Sequence, residues 1–321
     1  MANLLLHVCC CIDPSMPRKP VYNDKAHEWL LPSEKAFFEE NFRPEQTGKI
    51  SSTENFALLF QIPAYFSSSS LESLEDVLEL MKGKTLGTLK NRFPEGGSLL
   101  DAYMQGNLQT LFYERTLMEK KNCEQVIEGY QKILESTYKR FYRQHWKTLV
   151  PEMKTQAKVL KTQYLQEQGL IGLWEQKTRM KFPYPQFVAE LADPIGTLGT
   201  SIMAERDAFS SWQSPEKIFT VISHEIGTHT FFQTKSLSST SFAEILTNDT
   251  ERTLRIIEAF SYLVNLEIGE DKGLPITYSA KFAEYFRNEI AALEKHQKPW
   301  KDGALSSIDV IVKAHSIAYR P

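Results

Sequence analysis

The sequence predicts an α+β protein that is mostly α-helical, with one small sheet shortly before a helix rich in metal-ligating residues. Apolar residues recur at helical spacing from about residue 71 to 170, and again from about 215 to 320. Between these regions, short apolar segments separated by Gly196 and Gly199 predict extended strands. Hydrophobic residues make up 42% of the chain and charged residues 24%, which is typical of a globular protein with a substantial core.

The sequence divides into three predicted segments. Residues 1–70 are rich in Pro, Asn and Ser, and we expect an irregular N-terminal segment. Residues 71–170 are expected to be a helical region, and residues 171–321 the domain that carries the chemistry. Residues 169–185 are expected to be a turn-rich connector. The apolar stripes of the helical region run over Leu71–Met81, Leu99–Leu117 and Val126–Tyr138.

Composition argues against several classes of partner. The net charge of −3 provides no basic field for nucleic acid or an anionic membrane surface. No stretch approaches the roughly 20 apolar residues of a membrane span, and the first residues lack the basic start of a signal peptide. Cys9, Cys10, Cys11 and Cys123 do not have the spacing of a disulfide framework. We therefore expect a cytoplasmic protein that binds neither nucleic acid nor membrane.

A predicted helix beginning at Pro215 carries the residues of a predicted metal site. Ser214 can cap this helix, and proline suits its first turn. The helix contains the segment His224-Glu225-Ile226-Gly227-Thr228-His229. Its expected buried face consists of Ile218, Phe219, Ile222 and Ile226.

The spacing of the two histidines poses a geometric problem. His224 and His229 are five residues apart, which places them about 140° apart around an ideal helix. Two imidazoles at that angle do not reach one ion unless the helix changes its winding locally. Gly227 lies between them and lacks a Cβ, so it can accept a π-type bulge or a helix end. We therefore expect a change of winding at Gly227 that lets both rings bind one Zn²⁺.

The third metal ligand is expected on the next helix, over residues 249–268. Glu258 lies in an apolar stretch, where an unpaired carboxylate would be costly and a bound cation would satisfy it. Glu251 and Glu244 are weaker candidates for the same role. Glu225 directly follows the first histidine, so it can face a metal-bound water and act as general base. The expected apolar face of this helix includes Leu254, Ile257, Leu263 and Leu266.

This segment, with Glu258-Ala259-Phe260-Ser261 about thirty residues later, resembles the microtubule-associated tyrosine carboxypeptidases and their bacterial relatives of unknown function. That family has His-Glu-x-Gly-Thr-His and a downstream Glu-Gly-Leu-Ala segment. The resemblance covers roughly residues 214–262. It implies a zincin-like metallopeptidase fold with a small sheet next to the active-site helix, zinc bound by His224, His229 and Glu258, and Glu225 as the catalytic base. Gln233 stands near a position where many members carry a basic residue, so a tubulin substrate is not implied.

Three residues are candidates for substrate binding. Arg255 and Tyr262 share the expected face of Glu258 and can steady an oxyanion or orient the glutamate. Their alternatives are an exposed arginine and a packed tyrosine. Ile202 lies in the segment Thr200–Glu205, which is expected to be an edge strand that pairs with a peptide. Its alternative is a purely structural strand.

These patterns predict a zinc-dependent peptidase acting on a peptide or protein substrate, with a carboxypeptidase as the narrower form. A zinc hydrolase acting on another amide is the alternative within catalysis. From a different class, the chain is a helical interaction protein with a structural or vestigial zinc site. A catalytic site keeps one coordination position open, whereas a structural site is closed by a fourth ligand.

Overall fold

The structure is a computed structural model that describes residues 1–13, 16, 18–42, 57–66, 70–82, 123–165, 169–196, 199–203, 205–231 and 239–317. This part of the chain is mostly helical with one small mixed sheet, which confirms the α+β, mostly α, prediction. The stripe predicted over Leu99–Leu117 lies outside the described residues, as does Gln233. Among the described helices, none has the length and apolar character needed to cross a lipid bilayer.

The elements are numbered in chain order. The α-helices are α1 (Ala2–Ile12), α2 (Val21–Trp29), α3 (Pro32–Phe42), α4 (Ile62–Phe66), α5 (Leu71–Met81), α6 (Cys123–Thr137), α7 (Arg143–Val159), α8 (Leu170–Thr178), α9 (Pro215–Phe231), α10 (Thr240–Asn248), α11 (Thr250–Lys272), α12 (Ala280–Tyr285), α13 (Arg287–Lys301) and α14 (Ser307–Ser316). The strands are β1 (Val188–Ala192), β2 (Gly199–Met203) and β3 (Arg206–Ser210). π-Helical segments precede α4, join α6 to α7 and follow α7, at Ala57–Gln61, Tyr138–Tyr142 and Leu160–Leu165.

Most of the described N-terminal residues are helical, so the prediction of an irregular segment over 1–70 is wrong for those helices. All residues of α1 are buried. A helix that is apolar on all sides has no solvent face and must lie inside a core. The Pro-, Asn- and Ser-rich composition of the whole segment concealed this short apolar helix.

The chain forms two compact units, each assembled from separate stretches of sequence. Unit 1 comprises Met1–Lys158 and Val188–Gln213. Unit 2 comprises Val159–Phe187 and Ser214–Pro321. The predicted boundaries at residues 70 and 170 do not coincide with these units. The sheet belongs to unit 1, and α8 to α14 with the predicted metal ligands belong to unit 2.

The sheet of unit 1 has the strand order β1-β3-β2, with β1 parallel and β2 antiparallel to β3. Strands near residues 188 and 202 were predicted and are confirmed. β3 was not predicted, because it begins with the charged pair Arg206-Asp207 and lacks a clear alternation. β2 is an edge strand, but the Gln61 side-chain amide donates to the Ser201 carbonyl at 3.0 Å. Ile202 is fully buried in the apolar core of unit 1, so its predicted contact with substrate is corrected to a packing role.

The predicted connector over 169–185 is wrong in its first half, where α8 forms. Gly169 precedes the helix with φ +53°, and Arg179 ends it with φ +58°. Leu170, Trp174 and Thr178 recur every four residues and are buried along one face. Glycines at 169 and 172 suggested turns from sequence, yet burial of this face outweighs the cost of one glycine within the helix.

In unit 1, His7 of α1 lies at the centre of a buried aromatic cluster. Its Nδ1 is 2.7 Å from the Tyr22 hydroxyl, and its ring stacks on Phe141 with ring centroids 5.1 Å apart. Burial disfavours the charged ring and lowers the pKa of His7 to about 3; nearby His145 acts in the same direction, while Asp193 opposes it. The ring is therefore neutral in the folded protein at ordinary pH.

Unit 1 is expected to lose stability as the pH falls from about 6.5 towards 3, in part because of His7. Within that window the unfolded chain binds a proton at this imidazole and the folded chain does not. The free energy of unfolding therefore falls by roughly 1.4 kcal/mol per pH unit from this residue. Denaturant titrations across the window should show a shallower slope for His7→Gln than for the natural chain. His27→Gln, which removes an exposed imidazole from α2, is the control and should parallel the natural chain. If the curves of His7→Gln and the natural chain were parallel, the neutral state assigned to His7 would be contradicted.

In unit 2, the long helices α9 and α11 pack against each other, and α8 packs against both. α11 also contacts α13 and α14. The predicted helical character from Pro215 onward is therefore confirmed for the described residues. This bundle holds the predicted metal ligands of α9 and α11 on facing helices.

Candidate metal centre

α9 is a continuous α-helix from Pro215 to Phe231, so the predicted change of winding at Gly227 is wrong. The glycine has another role. A Cβ at this position would lie 2.2 to 2.5 Å from three atoms of the Trp174 ring, far inside van der Waals contact. Gly227 therefore permits the close approach of the α8 indole to α9.

Replacing Gly227 with alanine is expected to destabilise unit 2 by about 2 kcal/mol or more. The clash with the indole exceeds the gain of about 1 kcal/mol that alanine brings to a helix interior. Chemical denaturation measures the effect. Gly172→Ala is a matched control within α8, because a Cβ there meets nothing within 4 Å and should stabilise the helix. A stabilising Gly227→Ala would show that the indole does not press against this glycine.

His224 of α9 and Glu258 of α11 meet across the helix interface. His224 Nε2 is 2.8 Å from Glu258 Oε2. The imidazole side chain is 5% exposed and the carboxylate side chain 35% exposed. The His224 side chain is therefore fixed in the interior, and the Glu258 carboxylate lies at the edge of solvent.

A buried chain of hydrogen bonds supports the other side of the His224 ring. His224 Nδ1 is 2.9 Å from the Tyr278 hydroxyl, which accepts a hydrogen bond from Asn265 Nδ2 at 2.6 Å. The Ser223 hydroxyl donates to Asn265 Oδ1 at 2.6 Å and accepts from Trp174 Nε1 at 3.2 Å. These contacts join α8, α9, α11 and the segment after α11, and they fix the plane of the imidazole.

The pKa values of His224 and Tyr278 are shifted by their surroundings. Burial disfavours the charged form of His224, but the hydrogen bond and negative charge of Glu258 outweigh it and raise the pKa of the imidazole. Burial raises the pKa of Tyr278 despite an opposing hydrogen bond from Asn265. Tyr278 is therefore a neutral phenol at ordinary pH.

His229 lies with Glu225 rather than with His224. His229 Nε2 is 4.0 Å from Glu225 Oε2, one helical turn earlier on α9. Its ring also faces Phe187, with centroids 6.1 Å apart. The described residues His224, His229 and Glu258 do not form a set whose ligand atoms all lie within 4.8 Å of one another. The regular winding of α9 accounts for this, because it keeps the two imidazoles about 140° apart.

The predicted ligands His224, His229 and Glu258 offer the nitrogen and oxygen atoms that zinc binds. Of these, His224 and Glu258 lie at a distance that suits a shared zinc ion. Zinc takes imidazole nitrogen and carboxylate oxygen at about 2.0–2.2 Å, so two tetrahedral ligand atoms lie about 3.4 Å apart. His224 Nε2 and Glu258 Oε2 reach that separation if the half-exposed carboxylate moves outward by a fraction of an ångström. His229 completes the set only if the winding of α9 changes locally, because a regular helix holds the two imidazoles about 140° apart.

The weaker candidates for the third ligand lie elsewhere on the surface. Glu251 and Glu244 are both exposed. The predicted apolar face of α11 is also partly wrong, because Leu254 is 38% exposed. The buried face of α11 instead consists of Thr253, Ile256, Ile257, Ala259, Phe260, Ser261, Val264, Asn265, Ile268 and Gly269. Of the three glutamates, Glu258 is the one that contacts a histidine of α9.

Arg255 and Tyr262 occupy different surroundings from those predicted for a substrate site. The Arg255 guanidinium pairs with Glu289 of α13, with Nε 2.7 Å from Oε1, and donates to the Tyr285 carbonyl at 2.9 Å. It therefore ties α11 to α13 rather than orienting Glu258. Tyr262 packs edge-on against the Tyr278 ring, with centroids 4.7 Å apart, as in its packed alternative.

Several site residues were missed from sequence. Asn265 lies two helical turns after Glu258, and this polar residue within the buried face of α11 was a usable signal. Trp174 was missed because α8, the helix that carries it, was not predicted. Tyr278 and Phe282 both contact the His224 ring edge-on, but they follow a break in helical pattern and give no local signal.

Comparisons of the chain with protein-family models, with curated proteins and with solved structures found no match.

Proposed function

We propose that the chain is a zinc-dependent peptidase with a zincin-like fold that acts on a peptide or protein substrate. His224, Glu258 and, after a local change in the winding of α9, His229 would hold the metal, and Glu225 would act as general base. The observation that carries this proposal is the 2.8 Å contact between His224 Nε2 and Glu258 Oε2, which joins the two helices that the sequence pattern pairs. Cys9, Cys10 and Cys11 are buried free thiols, which fits the cytoplasmic setting that we propose.

The arrangement provides the groups that amide hydrolysis needs. Zinc, when bound, supplies a Lewis acid that polarises the scissile carbonyl and makes water acidic. Glu225 is partly exposed on the same helix as both histidines, so its carboxylate can take a proton from water. It can then pass that proton to the departing amine. Tyr278 holds the His224 ring through Nδ1, and Asn265 in turn holds Tyr278.

The narrower form of the proposal, a carboxypeptidase, rests on the resemblance over residues 214–262. Such an enzyme needs a cation for the terminal carboxylate of its substrate. Arg255 is engaged by Glu289, so this residue does not supply that cation in the observed arrangement. The cleavage pattern on a peptide mixture decides between removal of one terminal residue and internal cleavage.

The direct test is digestion of a peptide library by the full-length chain with added zinc, read by mass spectrometry. The proposal expects cleavage that stops when a chelator is added and returns with zinc. Cleavage that is insensitive to chelation, or no cleavage in a broad library with zinc bound, would overturn it.

A second candidate is a helical interaction protein with a structural or vestigial zinc site. The hydrogen bonds around His224 favour it, because Glu258, Tyr278, Asn265 and Ser223 satisfy one another without any metal. For this candidate, a structural zinc is enclosed by four protein ligands and its removal lowers the free energy of unfolding, whereas a vestigial site leaves that free energy independent of zinc. In neither case does the library test detect hydrolysis.

A further inference from the structure

The direction of the hydrogen bonds at Asn265 follows from the chemistry of its partners. The Thr220 carbonyl oxygen only accepts, and it lies 3.1 Å from Asn265 Nδ2. The amide nitrogen therefore faces Thr220, and the amide oxygen accepts from Ser223 at 2.6 Å. The second hydrogen of Nδ2 points to the Tyr278 oxygen at 2.6 Å. Both hydrogens of the amide are thus assigned.

This assignment fixes the hydrogen of Tyr278. Because its oxygen accepts from Asn265, the phenolic hydrogen is left to donate, and His224 Nδ1 at 2.9 Å is its acceptor among the described residues. A neutral imidazole that accepts at Nδ1 carries its hydrogen at Nε2. Glu258 Oε2 accepts that hydrogen at 2.8 Å. Every donor in the chain then has an acceptor.

We propose that Asn265 is a positioning residue that biases the site against zinc, because its hydrogen bond to Tyr278 helps to keep the hydrogen of neutral His224 on Nε2. Zinc needs the lone pair of that same nitrogen. When zinc binds there, the hydrogen moves to Nδ1, Nδ1 donates to Tyr278, and the phenolic hydrogen loses its described acceptor. The zinc part of this inference rests on the proposed function, whereas the tautomer does not.

The substitution Asn265→Asp reverses the direction of the hydrogen bond between residue 265 and Tyr278. A carboxylate at this position leaves the Thr220 carbonyl without its donor, but it accepts the Tyr278 hydrogen, so the Tyr278 oxygen becomes free to accept from His224 Nδ1. The expected result is a zinc Kd roughly tenfold lower, since a carboxylate behind a ligating histidine changes metal affinity by about 10–100-fold. The measurement is zinc competition with a chromophoric chelator, using the full-length chain.

Two further variants separate hydrogen-bond direction from added charge. In the Tyr278→Phe background, Asn265→Asp still adds its charge, but the hydroxyl that links residue 265 to His224 is missing. The gain in zinc affinity should therefore disappear. Asn248→Asp adds the same charge at an exposed position at the end of α10, outside the hydrogen bonds of the site, and it should retain the natural Kd. An equal gain in both backgrounds would overturn the proposal in favour of simple charge attraction.

The tautomer itself is measured without metal by two-bond ¹H–¹⁵N correlation of His224, at a pH where its shifts report a neutral ring. The natural chain should carry the hydrogen on Nε2. A hydrogen on Nδ1 would overturn the inference even if Asn265→Asp failed to fold. If the natural chain binds zinc but the Asn265→Asp and Tyr278→Phe effects are independent, only this inference fails. If neither the natural chain nor any variant binds zinc, the proposed function fails, and the zinc part of this inference fails too.

Discussion

Replacing Glu225 with glutamine is expected to lower the rate of peptide hydrolysis by roughly 10²–10⁴-fold, the range that a positioned general base contributes. Zinc affinity should change little, because Glu225 is proposed to act on water rather than to bind the metal. Glutamine keeps the size of the side chain and removes its ability to accept a proton. Initial rates on a cleaved library peptide and zinc content measured on the same sample give both quantities.

The matched control for this variant is Glu244→Gln, which removes the same charge from an exposed position on α10. It should hydrolyse the peptide at the natural rate. Full activity in Glu225→Gln would exclude this residue as the base. Loss of zinc in that variant would indicate instead that Glu225, which lies 4.0 Å from His229, is a ligand.

Replacing Glu258 with glutamine is expected to lower zinc affinity by more than about 100-fold. Loss of a group that only supports a ligand costs about 10–100-fold, so loss of a direct ligand should cost more. His224 also loses its charged partner at 2.8 Å, and the carboxylate is the main group that raises the pKa of the buried imidazole. Competition with a chromophoric chelator measures the affinity, and hydrolysis should fall in parallel.

Glu251→Gln is the control for this prediction, because Glu251 lies two turns earlier on α11 and is exposed. It should bind zinc as the natural chain does. If Glu251→Gln loses zinc and Glu258→Gln retains it, the third ligand has been assigned to the wrong glutamate. If neither substitution alters affinity, the carboxylate of α11 is not part of the site.

The fold could be predicted where burial acts on one face of a regular element. The stripes of α5, α6, α9 and α11 have helical spacing, and each of these helices is present. α1 and α8 were missed because their residues are buried by contacts with distant parts of the chain, which local glycine and serine content does not reveal. β3 was missed for a similar reason, since Asp207 is buried and its environment is set by the neighbouring strands.

The site was predictable in its residue types but not in its supporting structure. Sequence spacing placed His224 and Glu258 on adjacent helices, and the structure brings them into contact. It did not reveal that Gly227 is required by Trp174, because that packing joins residues about fifty positions apart. Tyr278, the partner of His224 on its other side, was hidden for the same reason, whereas Asn265 behind it left a signal as a polar residue on the buried face of α11.

The most direct test of the central claim is the position of zinc in crystals of the zinc-loaded chain, located by anomalous scattering at the zinc edge. We predict one strong peak about 2.0–2.2 Å from His224 Nε2 and from the Glu258 carboxylate, with His229 as the third protein ligand and one position open. A peak away from His224 and Glu258, or one enclosed by four protein ligands, would contradict it.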